Sequence, residues 1–364
     1  MKITKVETMI VDIPFHDGGK GEGIGPTTWN KLEMMLVRLE DDRGNVGWGE
    51  GFGYFVTDAT KAVVDRMITP LLTDSVVDDI PAWNRQTQRR LHLFGRYGIT
   101  LYAISAVDIA LWDLRAKREQ VPLYRLLSPT PTQRAISFYA SLVRYADSDI
   151  APGVCERALA DGFRDLKLHE TTIPEIEACR RAVGPEVPMA IDVNCNWSEE
   201  FALAAIPELL NLGASWLEEP TFPPEGYREL AALRGHGLPI AAGENWCTAV
   251  QFREALGASA VEHAQPSVTK VGGISEFLAV NEACIEAGVD LLPHSPYFGP
   301  GMHASMHLAG ALPNIRQLEW LYVEPEAWLA PFGRLEADGS IGLPEADGLG
   351  FEPVAEVLEK YRRA

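Results

Sequence analysis

The sequence predicts an α/β fold: a (β/α)8 barrel of the TIM type, with an N-terminal α+β capping domain that the C-terminal tail completes. Two observations lead to this prediction. From about residue 133, short apolar runs alternate with amphipathic stretches, as strand–helix units do. Three of these runs end in a carboxylate at equal intervals, at Asp192, Glu218 and Glu244. Barrel enzymes carry their chemistry at the carboxyl ends of strands.

The segment 1–125 lacks this alternation and is predicted to form the capping domain. Its strands are predicted over 3–13, 32–40 and 46–50. Its helices are predicted over 57–68, 80–94 and 100–118. The turn-forming residues 41–45 would join the last two strands in a hairpin. The glycine-rich segment 15–26 is predicted to be either a disordered connection or a mobile lid.

The segment 126–324 is assigned to the barrel as the catalytic domain. Its eight strands are predicted to end near Ala140, His169, Asp192, Glu218, Gly243, Gln265, Pro293 and Glu319. Helices are predicted between them over 174–183, 199–212, 249–256 and 275–287. The tail 325–364 ends in a helix predicted over 353–361, and we expect it to pack back on the capping domain.

Composition narrows the possible partners. The chain has 364 residues, 46% of them hydrophobic, and a net charge of −19, which disfavours nucleic acid and anionic membranes as partners. No long apolar stretch follows the first residues or approaches membrane-spanning length. The five cysteines are scattered singly, as in reduced proteins. These features predict a cytoplasmic protein that acts on a small molecule.

The three evenly spaced carboxylates predict a metal site. Asp192, Glu218 and Glu244 would lie at similar heights on the third, fourth and fifth barrel strands. Three carboxylates cannot share a dry site as bare anions, so a cation must hold them together. Mg²⁺ prefers oxygen ligands and leaves positions open for a substrate. We therefore predict one Mg²⁺ ion per subunit.

Two further strand ends supply candidate catalytic groups. Lys167 and His169 are two residues apart on the second strand, so both side chains would face the barrel mouth. The lysine charge is expected to keep the imidazole neutral and able to accept a proton. His294 ends the seventh strand, across the barrel, and Glu319 ends the eighth. A substrate at the metal would then lie between His169 and His294.

The chain resembles the enolase superfamily, in particular its mandelate racemase/muconate lactonizing enzyme branch, over nearly its whole length. The resemblance rests on Val46-Gly-Trp-Gly-Glu50, Ala106-Val-Asp-Ile-Ala-Leu-Trp-Asp-Leu-Arg-Ala-Lys117, Asp192-Val-Asn194, Leu217-Glu-Glu-Pro220, Ala242-Gly-Glu244 and Gln265-Pro-Ser-Val-Thr-Lys-Val-Gly-Gly273. It implies that Mg²⁺ binds a substrate carboxylate, that a base removes the α-proton, and that the metal stabilises an enediolate intermediate. It also implies a homo-oligomer, from dimer to octamer.

Two positions depart from the family pattern. The second-strand signature is Lys-x-Lys with the second lysine as base, and His169 stands there. The strand-7 histidine is usually oriented by a strand-6 Asp, and Ser267 stands there. The resemblance further implies that Lys270 is a counter-charge behind the ligands and that Glu319 hydrogen-bonds the substrate carboxylate. Asn194 is expected either to hydrogen-bond a ligand or to make a turn.

These departures favour dehydration of a sugar acid to a 2-keto-3-deoxy acid, because elimination needs one base and one unlike acid. Lys167 or His169 would be the base and His294 the acid. A racemase or epimerase, or a lactone cycloisomerase, would use the same residues. A non-catalytic metal-binding barrel is the remote alternative, which retention of all three ligands disfavours.

Two N-terminal loops are expected to contact the distal part of the substrate, as the resemblance implies. Their candidate residues are His16, Lys20, Phe52 and Tyr54. The aromatic residues suggest an apolar wall or a stacking surface. His16 and Lys20 would meet a distal acid group or remain solvated. A monocarboxylate with an apolar or ring-shaped remainder is therefore an alternative to a long diacid.

Overall fold

The computed structural model describes residues 1–20, 29–130 and 133–363. The segment 15–26, predicted to be either a disordered connection or a mobile lid, is described only as far as residue 20, and the rest of it lies outside the described residues. The described residues form an antiparallel sheet with helices and a barrel of parallel strands, which confirms the predicted fold class.

The N-terminal sheet contains four strands in the order β12-β1-β2-β3. Their bounds are β1 Ile3–His16, β2 Lys31–Asp41, β3 Val46–Gly51 and β12 Glu324–Pro325. The hairpin between β2 and β3 is held by Asp41, whose Oδ1 accepts hydrogen bonds from the backbone N–H groups of Arg43 and Asn45, both at 2.9 Å. The turn prediction is confirmed, since these residues form the Asx-type contacts expected of it.

The helices of the N-terminal segment are α1 Thr57–Val63, α2 Thr69–Leu72, α3 Ile80–Leu91, α4 Ile99–Glu119 and α5 Leu123–Leu127. A π-helical turn, Val64–Ile68, joins the first two, and a 3-10 turn, His92–Phe94, follows the third. Strand β3 lies directly on α4: a Cβ at Gly49 would come within 1.9 Å of the Ala106 carbonyl oxygen. Only glycine permits this close packing of strand and helix, which explains why a glycine stands at this place in the Val46–Glu50 motif.

The barrel consists of eight parallel strands in the order β10-β9-β8-β7-β6-β5-β4-β11. Their bounds are β4 Ala135–Ser141, β5 Leu166–Leu168, β6 Met189–Asp192, β7 Ala214–Glu218, β8 Ile240–Ala242, β9 His263–Ala264, β10 Asp290–Leu291 and β11 Gln317–Leu321. A parallel bridge between Leu291 and Ile315 closes the ring. A short strand, β13 Ser340–Gly342, adds to β4 from outside.

Helices surround the strands as predicted. They are α6 Ala151–Ala160, α7 Ile173–Val183, α8 Glu199–Asn211, α9 Tyr227–Leu233, α10 Thr248–Gly257, α11 Gly273–Ala287 and α12 Pro300–Ala311. The tail returns to the first sheet through β12 and ends in α13 Ala355–Tyr361. Arg363 then pairs with Asp12 at 2.8 Å and Glu33 at 2.9 Å. No helix in the described part of the chain is long and apolar enough to cross a membrane.

Candidate active site

The three predicted metal ligands come together at the carboxyl ends of neighbouring strands. Asp192 and Glu218 are the last residues of β6 and β7 and pair directly in register. Glu244 lies two residues beyond β8, after Gly243, whose φ of 137° and crowded surroundings exclude a side chain. One carboxylate oxygen from each residue lies within 4.8 Å of the other two. The arrangement offers only oxygen ligands, which suits Mg²⁺.

The electrostatics of this cluster also fit a cation. Asp192 and Glu218 are completely buried. Burial, followed by the nearby Asp192 and Glu319 charges, outweighs Lys167 and raises the pKa of Glu218 to about 8. Oδ2 of Asp192 lies 3.1 Å from Nε2 of His169 and 3.3 Å from Nζ of Lys167. One lysine charge cannot neutralise all three carboxylates, and burying bare carboxylates together is costly, so these residues are well suited to hold a divalent cation.

Lys167 lies beneath the carboxylates as a buried cation. Its Nζ donates a hydrogen bond to Oε1 of Glu218 at 2.6 Å and lies 2.8 Å from Oε1 of Glu319 and 3.3 Å from Oδ2 of Asp192. Burial alone lowers the pKa of a lysine, but these carboxylates outweigh it and raise the pKa well above its ordinary value. Lys167 is therefore held in its charged form.

His169 is oriented by the backbone. Its Nδ1 is hydrogen-bonded to the Leu142 carbonyl, which only accepts, so Nδ1 carries a proton. The other nitrogen, Nε2, lies 3.1 Å from Oδ2 of Asp192. Burial lowers the pKa of His169, but Asp192 outweighs it and the net pKa is raised. Lys167 lowers the pKa of His169, as expected from the sequence, but the Asp192 carboxylate outweighs it, so in the metal-free protein the lysine does not by itself keep the imidazole neutral.

His294 has a different environment on the opposite side. Its Nδ1 lies 3.2 Å from the Ser267 hydroxyl and 3.2 Å from the Tyr297 hydroxyl, and these two hydroxyls contact each other. Its Nε2 lies 3.1 Å from Oε2 of Glu244. Burial lowers the pKa of His294. The structure thus adds Tyr297, three residues after His294, to the contact expected between Ser267 and His294.

Glu319 is placed to accept hydrogen bonds at the same end of the cavity. Its Oε2 accepts from the backbone N–H of Ser295 at 3.2 Å, and the Ser295 hydroxyl donates to the Glu319 carbonyl at 3.0 Å. Burial by itself would raise the pKa of Glu319, but Lys167 outweighs it and lowers the pKa to about 2. Glu319 is therefore an anion.

A chain of polar contacts lies behind Glu244. Lys270 donates to Oδ1 of Asn245 at 2.9 Å, and Nδ2 of Asn245 donates to Oε2 of Glu219 at 2.8 Å. Burial and the Glu244 charge raise the pKa of Glu219 well above its ordinary value. Asn194 instead uses its backbone N–H, which donates to Oδ1 of Asp192 at 2.9 Å.

Glu219 and Asn245 had not been selected from the sequence. Strand alternation directs the side chain after Glu218 outward, but Glu219 has a left-handed φ of 40° and lies beyond the end of β7. The sequence does contain a signal for both residues, because Glu219 and Asn245 each directly follow a predicted metal ligand.

A cavity of about 610 Å³ opens over these groups. His169, Asn194, Glu244, His294 and Glu319 line it together with Phe52 and Tyr54 from the first domain. His16 and Lys20 line a separate, smaller cavity instead, and Lys20 pairs with Asp147 at 3.0 Å.

Comparison with known proteins gives matches over most of the chain. Residues 9–128 match the model of the mandelate racemase/muconate lactonizing enzyme N-terminal domain, and residues 153–357 match that of the enolase C-terminal domain-like family.

Individual relatives cover nearly all of the chain. An arabinonate dehydratase of Saccharolobus solfataricus is 30% identical over 345 residues, which is 91% of each chain. A 3,6-anhydro-alpha-L-galactonate cycloisomerase of Streptomyces coelicolor is 30% identical over 331 residues, or 88% of each. A solved racemase of Streptomyces coelicolor A3(2), described with bound magnesium, is 26% identical and has a TM-score of 0.87 over 99% of this chain and 100% of that one.

Proposed function

Because the chain belongs to the mandelate racemase/muconate lactonizing enzyme branch of the enolase superfamily, we propose that it dehydrates a sugar-type hydroxy acid to a 2-keto-3-deoxy acid. The chain is an enzyme of this superfamily, since its relatives are dehydratases and cycloisomerases. The reading as a non-catalytic metal-binding barrel is therefore set aside.

One observation carries the proposal: two histidines flank the same cavity in unlike environments. His169 has a proton on Nδ1, so its neutral form offers the Nε2 lone pair as a base. The Nδ1 atom of His294 meets two hydroxyls that can donate to it, and that tautomer carries a proton on Nε2. An elimination needs one base for the α-proton and one acid for the departing β-hydroxyl, and the two histidines supply this unlike pair.

Asp192, Glu218 and Glu244 would hold Mg²⁺. When bound, the metal would neutralise the charge that develops on the substrate carboxylate as the α-proton leaves. Its positive charge beside Asp192 would also oppose the raised pKa of His169 and favour the neutral base. Lys167 remains a charged neighbour rather than a base, because three carboxylates hold its proton.

The steps then balance as loss of one water. His169 takes the α-proton through Nε2, which breaks the C2–H bond. His294 supplies a proton to the β-hydroxyl, and the C3–O bond breaks as water departs. The resulting enol becomes the 2-keto-3-deoxy acid by tautomerisation. Glu319 accepts hydrogen bonds near the reacting end, and the neighbouring Lys167 charge lowers its pKa in the free protein.

Cycloisomerisation of a lactone or anhydro acid is the second candidate. The relative from Streptomyces coelicolor is named for such a reaction, and the same residues could begin it. The difference lies in the product: cycloisomerisation conserves the formula of the substrate, whereas dehydration releases water.

An acid-sugar library incubated with the enzyme and Mg²⁺ tests the proposal. A keto acid detected as its semicarbazone, with deuterium incorporated from D₂O, is the expected result. Products isomeric with the substrate would replace dehydration with cycloisomerisation. Deuterium at C2 of recovered substrate, without a keto acid, would identify an epimerase or racemase.

We further propose that the enzyme is a cytoplasmic homo-oligomer. Leu93 and Phe94 on the first domain are 79% and 63% exposed, which is unusual for large apolar side chains unless another surface covers them. None of the five cysteines is in a disulfide, as in reducing compartments. Light scattering after size exclusion should give a multiple of the 40.0 kDa chain mass, and a monomer would contradict it.

A further inference from the structure

The cavity above the metal ligands has one polar end and one apolar wall. The polar end comes from barrel strand ends and contains the two histidines and Glu319. The wall comes mainly from the first domain, with two residues from strand ends of the barrel. It is formed by Trp29, Phe52, Tyr54, Phe55, Val143 and Leu321.

We propose, on the premise of the proposed function, that the substrate is a monocarboxylic hydroxy acid whose distal end is uncharged and apolar. Such an end is a deoxygenated terminal carbon or a closed ring. An open-chain diacid, with a second carboxylate at that end, is excluded by the same wall. The reaction itself needs only the carboxylate, the α-hydrogen and the β-hydroxyl, all of which stay at the polar end.

The aromatic residues of the wall pack on one another. The rings of Trp29 and Tyr54 have centroids 4.9 Å apart, and those of Phe52 and Tyr54 are 5.1 Å apart. The Tyr54 hydroxyl donates to the Pro296 carbonyl. The indole N–H of Trp29 is buried and has no hydrogen-bond partner among the described residues, but it is uncharged and cannot neutralise a carboxylate. The wall therefore presents mainly carbon to the substrate and no positive charge.

Three nearby lysines are engaged elsewhere, and Arg144, which follows Val143, is not among the residues that line the cavity. Among the described residues lining the cavity there is no lysine or arginine. Lys167 is enclosed by three carboxylates. Lys270 is 3% exposed, bonds to Asn245, and has the Phe52 ring 4.7 Å from its Nζ. Lys20 pairs with Asp147 at the neighbouring cavity.

The sequence of residues 21–28, outside the described part, contains no Lys, Arg or His. A carboxylate buried against this wall would lose its hydration without gaining a partner, which is strongly unfavourable. A methyl group or ring carbon at the same place gains from burial. The preference should therefore be large and should not depend on the exact hydroxyl pattern.

Turnover of a matched series tests this. Three acids would share configuration at C2 to C5 and differ only at C6, as methyl, hydroxymethyl or carboxylate. We expect kcat/KM to fall in that order, with the diacid at least about 100-fold below the 6-deoxy acid. A diacid used as well as the 6-deoxy acid would overturn the inference. If none of the three acids is dehydrated but their α-protons exchange in D₂O at rates that fall in the same order, then the proposed dehydration is wrong and the inference about the distal end of the substrate stands.

Binding provides a measurement that needs no turnover. With Mg²⁺ present, 2-hydroxyhexanoate should bind at least about tenfold more tightly than 2-hydroxyadipate, measured by calorimetry. Equal or tighter binding of 2-hydroxyadipate would contradict the inference even if no substrate is found.

A charge added to the wall should reverse the preference. Phe55 is 56% exposed, so Phe55→Lys should fold and should improve 2-hydroxyadipate binding relative to 2-hydroxyhexanoate by about tenfold. Ile285→Lys, at a residue 57% exposed on α11 outside this cavity, is the matched control and should leave the ratio unchanged. An equal shift in both variants would indicate a general charge effect and overturn the assignment to this wall.

Discussion

The hydroxyl oxygen of Ser267 lies 3.2 Å from Nδ1 of His294, where a carboxylate is expected by family resemblance. A carboxylate can only accept a hydrogen bond from Nδ1–H, whereas a hydroxyl can also donate a hydrogen bond to an unprotonated Nδ1. The Tyr297 hydroxyl stands at the same distance and contacts Ser267. With hydroxyls in place of a carboxylate, Nδ1 can accept a hydrogen bond, and the proton of the neutral imidazole can then reside on the Nε2 atom that faces the cavity.

Removing either hydroxyl should affect elimination more than proton abstraction. Ser267→Ala and Tyr297→Phe are each expected to lower kcat for keto-acid formation by about 10- to 100-fold. Deuterium exchange at the α-carbon should change much less, because His169 performs it. The rates of keto-acid formation and of α-proton exchange, both measured by NMR in D₂O, show whether the two reactions are affected differently. An equal loss in both would mean that the hydroxyls only support the fold.

Replacing His169 should stop the first step. His169→Gln retains a donor for the Leu142 carbonyl but has no basic nitrogen, so α-proton exchange should fall by at least about 1000-fold. Mg²⁺ affinity should persist. His236→Gln, at an exposed loop residue, serves as the control. If exchange survives in His169→Gln and disappears in Lys167→Met, then Lys167 is the base.

Glu218→Gln should weaken metal binding and activity together. The change removes one charge from three adjoining ligands and leaves Lys167 without its closest carboxylate, at 2.6 Å. Calorimetric titration with Mg²⁺ should show a loss of affinity of more than about 100-fold. Glu208→Gln, on the exposed face of α8, should bind normally. Full activity of Glu218→Gln after chelation would reject the metal-dependent mechanism.

The barrel and the clustering of the three carboxylates could be predicted from the sequence because each rests on local repetition. Asp192 and Glu218 pair in register because each is the last residue of its parallel strand, although the pairing is shifted between Met189 and Ile191. Glu244 lies beyond the end of its strand, after Gly243, but its equal spacing from Asp192 and Glu218 in the sequence still predicted its place beside them. Strand–helix alternation is likewise a local signal, so the fold class followed from it.

Other properties of the site depend on contacts between distant segments. The net pKa of His169 depends on the opposing effects of Asp192, which raises it, and of burial and Lys167, which lower it. The side chain of Glu219 points inward because the residue itself, just after the end of β7, has a left-handed φ. The role of Tyr297 depends on its meeting Ser267 across two strand ends. No pattern within a single segment carries this information.

Glu50 offers a test of how the first domain is joined to the barrel. It lies in β3, is buried, and accepts a hydrogen bond at 2.8 Å from the backbone N–H of Gly301, at the start of α12. Burial raises the pKa of Glu50 from 4.5 to about 7. Between these values the folded protein binds more protons than the unfolded chain.

The stability contributed by this raised pKa is therefore fully present below pH 4.5 and is lost as pH rises through about 7. Glu50→Gln keeps an acceptor for Gly301 but cannot ionise. The free energy of unfolding of wild type relative to Glu50→Gln should therefore fall by about 3 kcal/mol between pH 4.5 and pH 8. Urea unfolding across this range measures the difference, with Glu208→Gln as the control. Parallel profiles for wild type and Glu50→Gln would mean that Glu50 remains ionised in the folded protein.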